Sequence, residues 1–215
     1  MTSNTAPLYL YVHGFNSSPH SYKARQLQHW FSTVNRADRL LVPSLPYAPA
    51  AAVALLEALV IEQAGRPLVL LGSSLGGFYS TWLTERFGAI QPIRSILINP
   101  AIRPFELLDL WLGENENIYT HESYLLTPEH LRQLNAVDCP QLADPSRYLL
   151  LTQTGDEVLD YRQGVEKHSN SLQIVTLGGE HGFTNFESYW PRMFEFAGDS
   201  ELQRLAESHV RELSS

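Results

Sequence analysis

Three residue types at particular points of this sequence suffice for acyl-transfer chemistry. A serine lies in Gly72-Ser73-Ser74-Leu75-Gly76, an aspartate in Thr154-Gly155-Asp156, and a histidine in Gly178-Gly179-Glu180-His181-Gly182. The first stretch fits the pattern Gly-x-Ser-x-Gly, with Ser74 at its centre and Ser73 as a structural neighbour. It follows the apolar run Leu68–Leu71 and opens a helical pattern, so Ser74 sits where a strand hands over to a helix. Strand and helix crowd together at such a turn, so Gly72 and Gly76 are expected to be small for lack of space. The hydroxyl of Ser74 is then lifted above the sheet, and the Leu75 N–H, at the positive end of the following helix, faces a developing oxyanion. The competing reading is a turn that binds phosphate through backbone N–H groups, but the Gly-Lys-Ser/Thr of such loops is missing.

A serine hydroxyl is a weak nucleophile and needs a base beside it. In this kind of turn the partners follow in the order serine, acid, histidine, each after a later strand. His181 follows the β-rich run Leu172–Leu177 and is the candidate base. His20, His29, His121, His130, His168 and His209 lie in helical patterns or polar loops. Asp156 follows the run Tyr148–Gln153 and is the candidate acid, orienting the imidazole and stabilising its charged form. Glu157 and Asp160 are its rivals, with helix capping as their alternative role.

A second oxyanion donor is expected in the loop His13-Gly14-Phe15-Asn16, after the first strand. Gly14 would let the backbone turn, so that the Phe15 N–H converges with that of Leu75. His13 would hold this loop by a hydrogen bond. No His-Glu-x-x-His and no Cys/His cluster is present, so no metal and no cofactor are expected. Cys139, the single cysteine, reads as incidental.

These residues must be positioned by a sheet. Leu8–Val12, Leu40–Leu45, Leu68–Gly72, Ser95–Asn99, Tyr148–Gln153 and Leu172–Leu177 read as six strands, alternating with helical patterns at 21–34, 50–64 and 75–87. The tail 186–213 reads as helix in two pieces, parted near Gly198. The expectation is a mostly parallel six-stranded sheet with helices on both faces, in one domain. Between residues 101 and 147 no strand is evident. Phe105–Leu112 and Pro128–Leu134 read as short helices flanking a polar, acidic piece. This excursion is expected to cap the strand ends, or else to pack as a surface insertion. Phe105, Leu108 and Trp111 could line an acyl pocket, with core packing as the alternative.

The 215 residues are 44% hydrophobic with a net charge of −8, which fits a globular domain and argues against a nucleic-acid partner. A polyanionic substrate gains nothing from that charge unless Lys23, Arg25 and Arg103 gather at the site. The first residues carry no basic and apolar leader pattern, and the longest apolar tract, 48–61, is too short to span a bilayer. A cytoplasmic location is the resulting expectation.

Four motifs together, Tyr-Val-His-Gly-Phe-Asn-Ser-Ser-Pro from Tyr11, Gly-Ser-Ser-Leu-Gly-Gly-Phe from Gly72, Thr-Gly-Asp-Glu-Val-Leu-Asp-Tyr from Thr154 and Gly-Gly-Glu-His-Gly-Phe from Gly178, resemble the small YqiA-type esterase family of the α/β-hydrolase superfamily. The resemblance spans nearly the whole chain. It implies a minimal three-layer α/β-hydrolase fold that hydrolyses small carboxylic esters and acyl thioesters, including acyl-CoA, without metal or cofactor. Carried over by position, it places Ser74, Asp156 and His181 on the triad and Phe15 and Leu75 on the oxyanion positions. Lys23, in Ser21-Tyr22-Lys23-Ala24, also fits the family's first loop but receives no role. Two other readings stand beside this one: an amidase or peptidase on the same residues, or an inactive fold acting as a binding module. Oligomeric state is not legible.

Overall fold

The computed structural model of the chain describes residues 6–213. Strand β1 (Leu8–Val12) is followed by α1 (Tyr22–Thr33), β2 (Leu40–Leu41), α2 (Pro49–Glu62), β3 (Leu68–Ser73), α3 (Leu75–Phe87) and β4 (Ile93–Ile98). After an excursion come β5 and β6 of a separate hairpin, described below, then β7 (Tyr148–Gln153), α6 (Tyr161–Lys167) and β8 (Leu172–Thr176). The chain ends in α7 (Trp190–Ala197) and α8 (Ser200–Leu213). The main sheet has the order β2-β1-β3-β4-β7-β8, and every pairing in it is parallel.

The apolar runs form buried strands because helices cover both faces. Side chains alternate between the two layers, as a pleated strand requires. Tyr9, Tyr11, Val69, Leu71, Ile96 and Ile98 pack with Leu27, Trp30 and Phe31 of α1 and with Trp190, Met193 and Phe194 of α7. Leu8, Leu10, Val12, Leu68 and Leu70 pack on the other face with Ala52, Leu56 and Val60 of α2 and Phe78 and Leu83 of α3. β2 is shorter than its apolar run suggests, because Pro43 has no N–H to continue the ladder. β4 begins at Ile93 rather than Ser95 and stops before Asn99, whose backbone turns to φ +40°.

From β1 the chain moves outward to β2 and returns on the other side of β1 to β3. The connection therefore changes direction between β1 and β3, and a crevice opens at the carboxyl ends of such strands. The loops after β1, β3, β7 and β8, which carry Phe15, Ser74, Asp156 and His181, all leave the sheet at that end.

The excursion contains α4 (Pro104–Leu107), a short 3-10 turn at Leu108–Trp111, β5 (Gly113–Glu116), β6 (Ser123–Leu126) and α5 (Pro128–Ala136). The expectation of no strand here is wrong: β5 and β6 form an antiparallel hairpin. Gly-Glu-Asn-Glu carries no apolar face, so its pairing is dictated by β6, which turns Tyr124 and Leu126 inward. The connecting loop is closed by Asn117, whose Oδ1 accepts from the N–H groups of Tyr119 at 2.9 Å and Thr120 at 3.0 Å.

Candidate active site

The turn at Ser74 is strained, and its neighbours leave no room for side chains. Ser74 has φ 55° and ψ −122°, a region costly for a residue with a Cβ, roughly 1–3 kcal/mol. Hydrogen bonds over-determine it: Ser74 N–H donates to Ile98 O at 3.1 Å, and Ser74 O accepts from Gly77 N at 2.9 Å and Ala101 N at 3.0 Å. A Cβ on Gly72 would lie 2.5 Å from Ser80 Oγ, and one on Gly76 would lie 1.8 Å from Val12 O.

The three candidate side chains meet in line. Ser74 Oγ lies 3.1 Å from His181 Nε2, and His181 Nδ1 lies 3.0 and 2.9 Å from the two oxygens of Asp156. An ionised carboxylate only accepts, so Nδ1 carries the proton and Nε2 presents its lone pair to the serine. The Asp156 side chain is only 1% exposed, and its Oδ1 also accepts from Val158 N at 2.9 Å and Leu159 N at 2.8 Å. The two rivals of Asp156 serve other purposes. Asp160 caps α6 by accepting from Arg162 N, while Glu157 Oε2 accepts from His181 N at 3.0 Å. That bond to the His181 backbone holds the Glu157 carboxyl below its usual range.

The loop carrying His181 is held by residues that motif reading missed. Asn99, at the end of β4, donates from Nδ2 to Glu180 O at 3.0 Å and His181 O at 3.3 Å, and its Oδ1 accepts from Gln153 N at 2.9 Å. Gln153, the last residue of β7, accepts from Thr184 N at 2.9 Å and Glu180 N at 3.2 Å and donates to Thr184 O at 2.9 Å. The signal was a buried amide closing each apolar strand, in Ile-Leu-Ile-Asn and Leu-Leu-Thr-Gln. Lys23, on α1, donates from Nζ to Gly182 O at 2.9 Å.

The first loop lies against the serine. A Cβ on Gly14 would come 3.0 Å from Ser74 Cβ, so Gly14 is there for close approach; its φ is not in the left-handed region, and the chain turns just after it at Phe15–Asn16, with Asn16 at φ +51°. Among the described residues, the N–H groups of Phe15 and Leu75 have no acceptor in the protein. His13 holds the loop as expected: Nε2 accepts from Leu45 N at 3.1 Å, which leaves Nδ1 to donate to Gly14 O at 3.0 Å. Burial lowers the pKa of this imidazole and keeps it in that neutral form.

The model of the Uncharacterised protein family (UPF0227) matches residues 8–198, a span that includes every loop described above. The chain belongs to this family. It is the YqiA family that the four motifs resemble. Among solved structures, Est1E from Butyrivibrio proteoclasticus, determined with ferulic acid bound, superimposes with a TM-score of 0.65 at 13% identity, over 96% of this chain and 90% of that one. Mouse alpha/beta hydrolase domain-containing protein 10 gives 0.62 at 14% identity, over 97% and 91%. A monoacylglycerol lipase from Paleococcus ferrophilus gives 0.63 at 13% identity, over 91% and 97%. At these identities the likeness establishes the fold, a three-layer α/β-hydrolase.

In this UPF0227 chain a half-open cavity of about 910 Å³ opens at Ser74 and His181. Its wall is formed by Tyr22, Lys23 and Gln26 of α1, Ile118 and Tyr119 of the hairpin tip, and the loop that carries His181. Phe105, Leu108 and Trp111 do not line it. Leu108 is buried in the core layer against α2 and α3, Phe105 packs on that layer, and Trp111 is half exposed with its ring 5.9 Å from that of Phe15. Nor do the cations gather: Lys23 lines the cavity, but Arg25 does not, and Arg103 pairs with Glu106 at 3.0 Å. Cys139 lies outside the cavity, with burial pushing its thiol up to about 11. Among the described residues no group of three or more His, Cys, Asp or Glu side chains is placed to hold a metal ion, and no helix is long and apolar enough to cross a membrane.

Proposed function

We propose that this chain is a serine hydrolase of carboxylic esters, including acyl thioesters. The observation that carries this reading is the unbroken line of hydrogen bonds from Ser74 through His181 to buried Asp156. Ser74 Oγ attacks the acyl carbonyl as its proton passes to His181 Nε2. Asp156 holds the resulting imidazolium through Nδ1–H. The tetrahedral oxyanion takes the free N–H groups of Phe15 and Leu75, each worth roughly 3 kcal/mol to such an intermediate. Collapse expels the alcohol or thiol, which takes the proton from Nε2. Water, giving its proton to Nε2, then attacks the acyl-serine and releases the acid. Residues 101–147 act as a cap: Asn117 Nδ2 donates to Ser17 O at 3.1 Å, tying the hairpin to the loop that bears Phe15.

The test is hydrolysis of p-nitrophenyl butyrate and of a butyryl thioester by the wild type and by Ser74→Ala, with a fluorophosphonate probe on both. The expected result is hydrolysis and labelling by the wild type, with kcat lower by roughly a millionfold and no labelling in the variant. A wild type that neither hydrolyses nor labels, or a labelled Ser74→Ala, refutes the assignment.

A further inference from the structure

Lys23 takes no part in the chemistry above, yet it belongs to the site. It lies in the first turn of α1, half-buried in the wall of the cavity, and its Nζ donates to Gly182 O at 2.9 Å. Gly182 directly follows His181. The other side chains that fasten this loop, Asn99, Gln153 and Glu157, come from the carboxyl ends of β4 and β7. Lys23 instead fastens it to α1. A charged donor makes a stronger hydrogen bond to a carbonyl than a neutral one. We propose that Lys23 is a positioning residue for the base: its ammonium fixes Gly182 and thereby keeps the His181 imidazole between Asp156 and Ser74. This inference rests on the hydrolase reading.

The surroundings fit that role. The charges that act on Lys23 are Asp156 from the loop after β7 and Glu180 from the loop after β8, and His181, Tyr11, Tyr22 and Tyr119 share the cavity wall with it. Glu187, also in the cavity wall, is taken up by Gln26 at 2.6 Å and His209 at 3.4 Å. Burial lowers the Lys23 pKa to about 8, while the negative charges of Asp156 and Glu180 oppose that shift. The ammonium is therefore present at neutral pH and is lost as pH rises through about 8. The tie that Lys23 makes between the loop and α1 weakens over the same interval.

The experiment compares wild type, Lys23→Met and Lys23→Arg in hydrolysis of p-nitrophenyl butyrate from about pH 6 to about pH 9.5, separating kcat from KM. Lys23→Met should lower kcat by roughly tenfold to a hundredfold with KM little changed, the size of effect a displaced catalytic group produces. Lys23→Arg should restore most of kcat, because a guanidinium can donate to the same carbonyl. It should also lack the decline expected of wild type above about pH 8, because arginine does not titrate there. A Met variant with wild-type kcat, or an Arg variant that keeps the alkaline decline, overturns the proposal. The downfield proton NMR signal of the His181–Asp156 hydrogen bond supplies a readout independent of turnover. It should broaden or shift in Lys23→Met, and an unchanged signal counts against Lys23 even if the wild type hydrolyses no ester. In that last case the hydrolase reading fails on the wild type alone. Thermal melting checks the fold, and Lys23→Gln replaces the Met variant if that one does not fold.

Discussion

Asn99→Ala removes three hydrogen bonds, two of them to the loop that carries His181, and the structure sets the size of the effect. Asn99 Oδ1 is the acceptor for the Gln153 N–H, and both residues are buried. Alanine leaves that donor unpaired, at a cost of roughly 1–3 kcal/mol. The two carbonyls lose less. Glu180 O keeps the N–H of Phe183 at 3.0 Å, and His181 O lies in a half-exposed loop where water can reach it. Together they account for about 1 kcal/mol. Alanine at φ +40° adds about 1 kcal/mol, because asparagine tolerates the left-handed region better. The expected loss is therefore about 3–5 kcal/mol of unfolding free energy, read from urea melts. Activity should fall by more than the folded fraction explains. A shift of about 1 Å at a catalytic group costs on the order of a hundredfold, so kcat should drop by about that factor. Asn99→Asp keeps an acceptor for Gln153 but buries a carboxylate against the carbonyl oxygens of Glu180 and His181, so its kcat should fall as far as that of alanine and its stability at least as far. If Asn99→Ala stays within about 0.5 kcal/mol of wild type and retains its kcat, the claim that this amide positions the base is refuted.

Two further outcomes follow from the packing. Gly76→Ala places a Cβ 1.8 Å from Val12 O, so β1 and the serine turn must separate; a destabilisation of at least about 3 kcal/mol in thermal or urea melts is expected, and a wild-type melting curve would show that the turn has slack. His168 is buried against Tyr148, with neither ring nitrogen bonded among the described residues, and burial lowers its pKa to about 4. The unfolded chain binds this proton more readily than the folded one. Above about pH 6.5 both states are neutral there and stability is unaffected; as pH falls the penalty grows, reaching roughly 3 kcal/mol below about pH 4. His168→Phe should remove that part of the acid slope in urea melts taken across this range, and an unchanged slope would place the titration elsewhere.

The fold and the meeting of the three candidate side chains were legible because each depends on local pattern. Unbroken apolar runs such as Leu68–Leu71 specify strands covered on both faces, and they brought the loops holding Ser74, Asp156 and His181 to one end of the sheet. The roles of Asn99, Gln153 and Lys23 were hidden because their partners are backbone groups far along the chain, and backbone groups leave no trace in sequence. β5 was hidden for a related reason: Gly-Glu-Asn-Glu pairs because Tyr124 and Leu126 anchor its partner. The pocket assignment for Phe105 and Leu108 failed because helical spacing marks an apolar face without saying what it faces. Here it faces the layer under α2 and α3, and the cavity lies toward α1 instead.

Backbone strain is concentrated where the chemistry is proposed. Of the residues other than glycine with positive φ, Asn16, Ser74, Phe183 and Asn185 line the cavity, Asn99 bonds the loop that carries His181, His121 lies in the hairpin loop whose tip forms part of the cavity wall, and Asn35 lies elsewhere. Phe183 is the most costly of these, since a bulky aromatic side chain is rarely tolerated at φ +66°. The penalty is roughly 1–2 kcal/mol. Against it stands burial of the whole ring, 1% exposed, edge-on to Phe186 at 6.2 Å and Tyr189 at 5.1 Å. Burying a phenylalanine contributes about 2–3 kcal/mol, so the anchor outweighs the strain. Phe183 packs in the core layer with α1 and α7, and its N–H donates to Glu180 O at 3.0 Å, closing the turn from Glu180 to Phe183 that holds His181 beside Ser74. The loop's conformation is thus set by apolar burial and by the hydrogen bonds of Asn99, Gln153 and Lys23. Holding His181 3.1 Å from Ser74 in a loop of glycines draws on both.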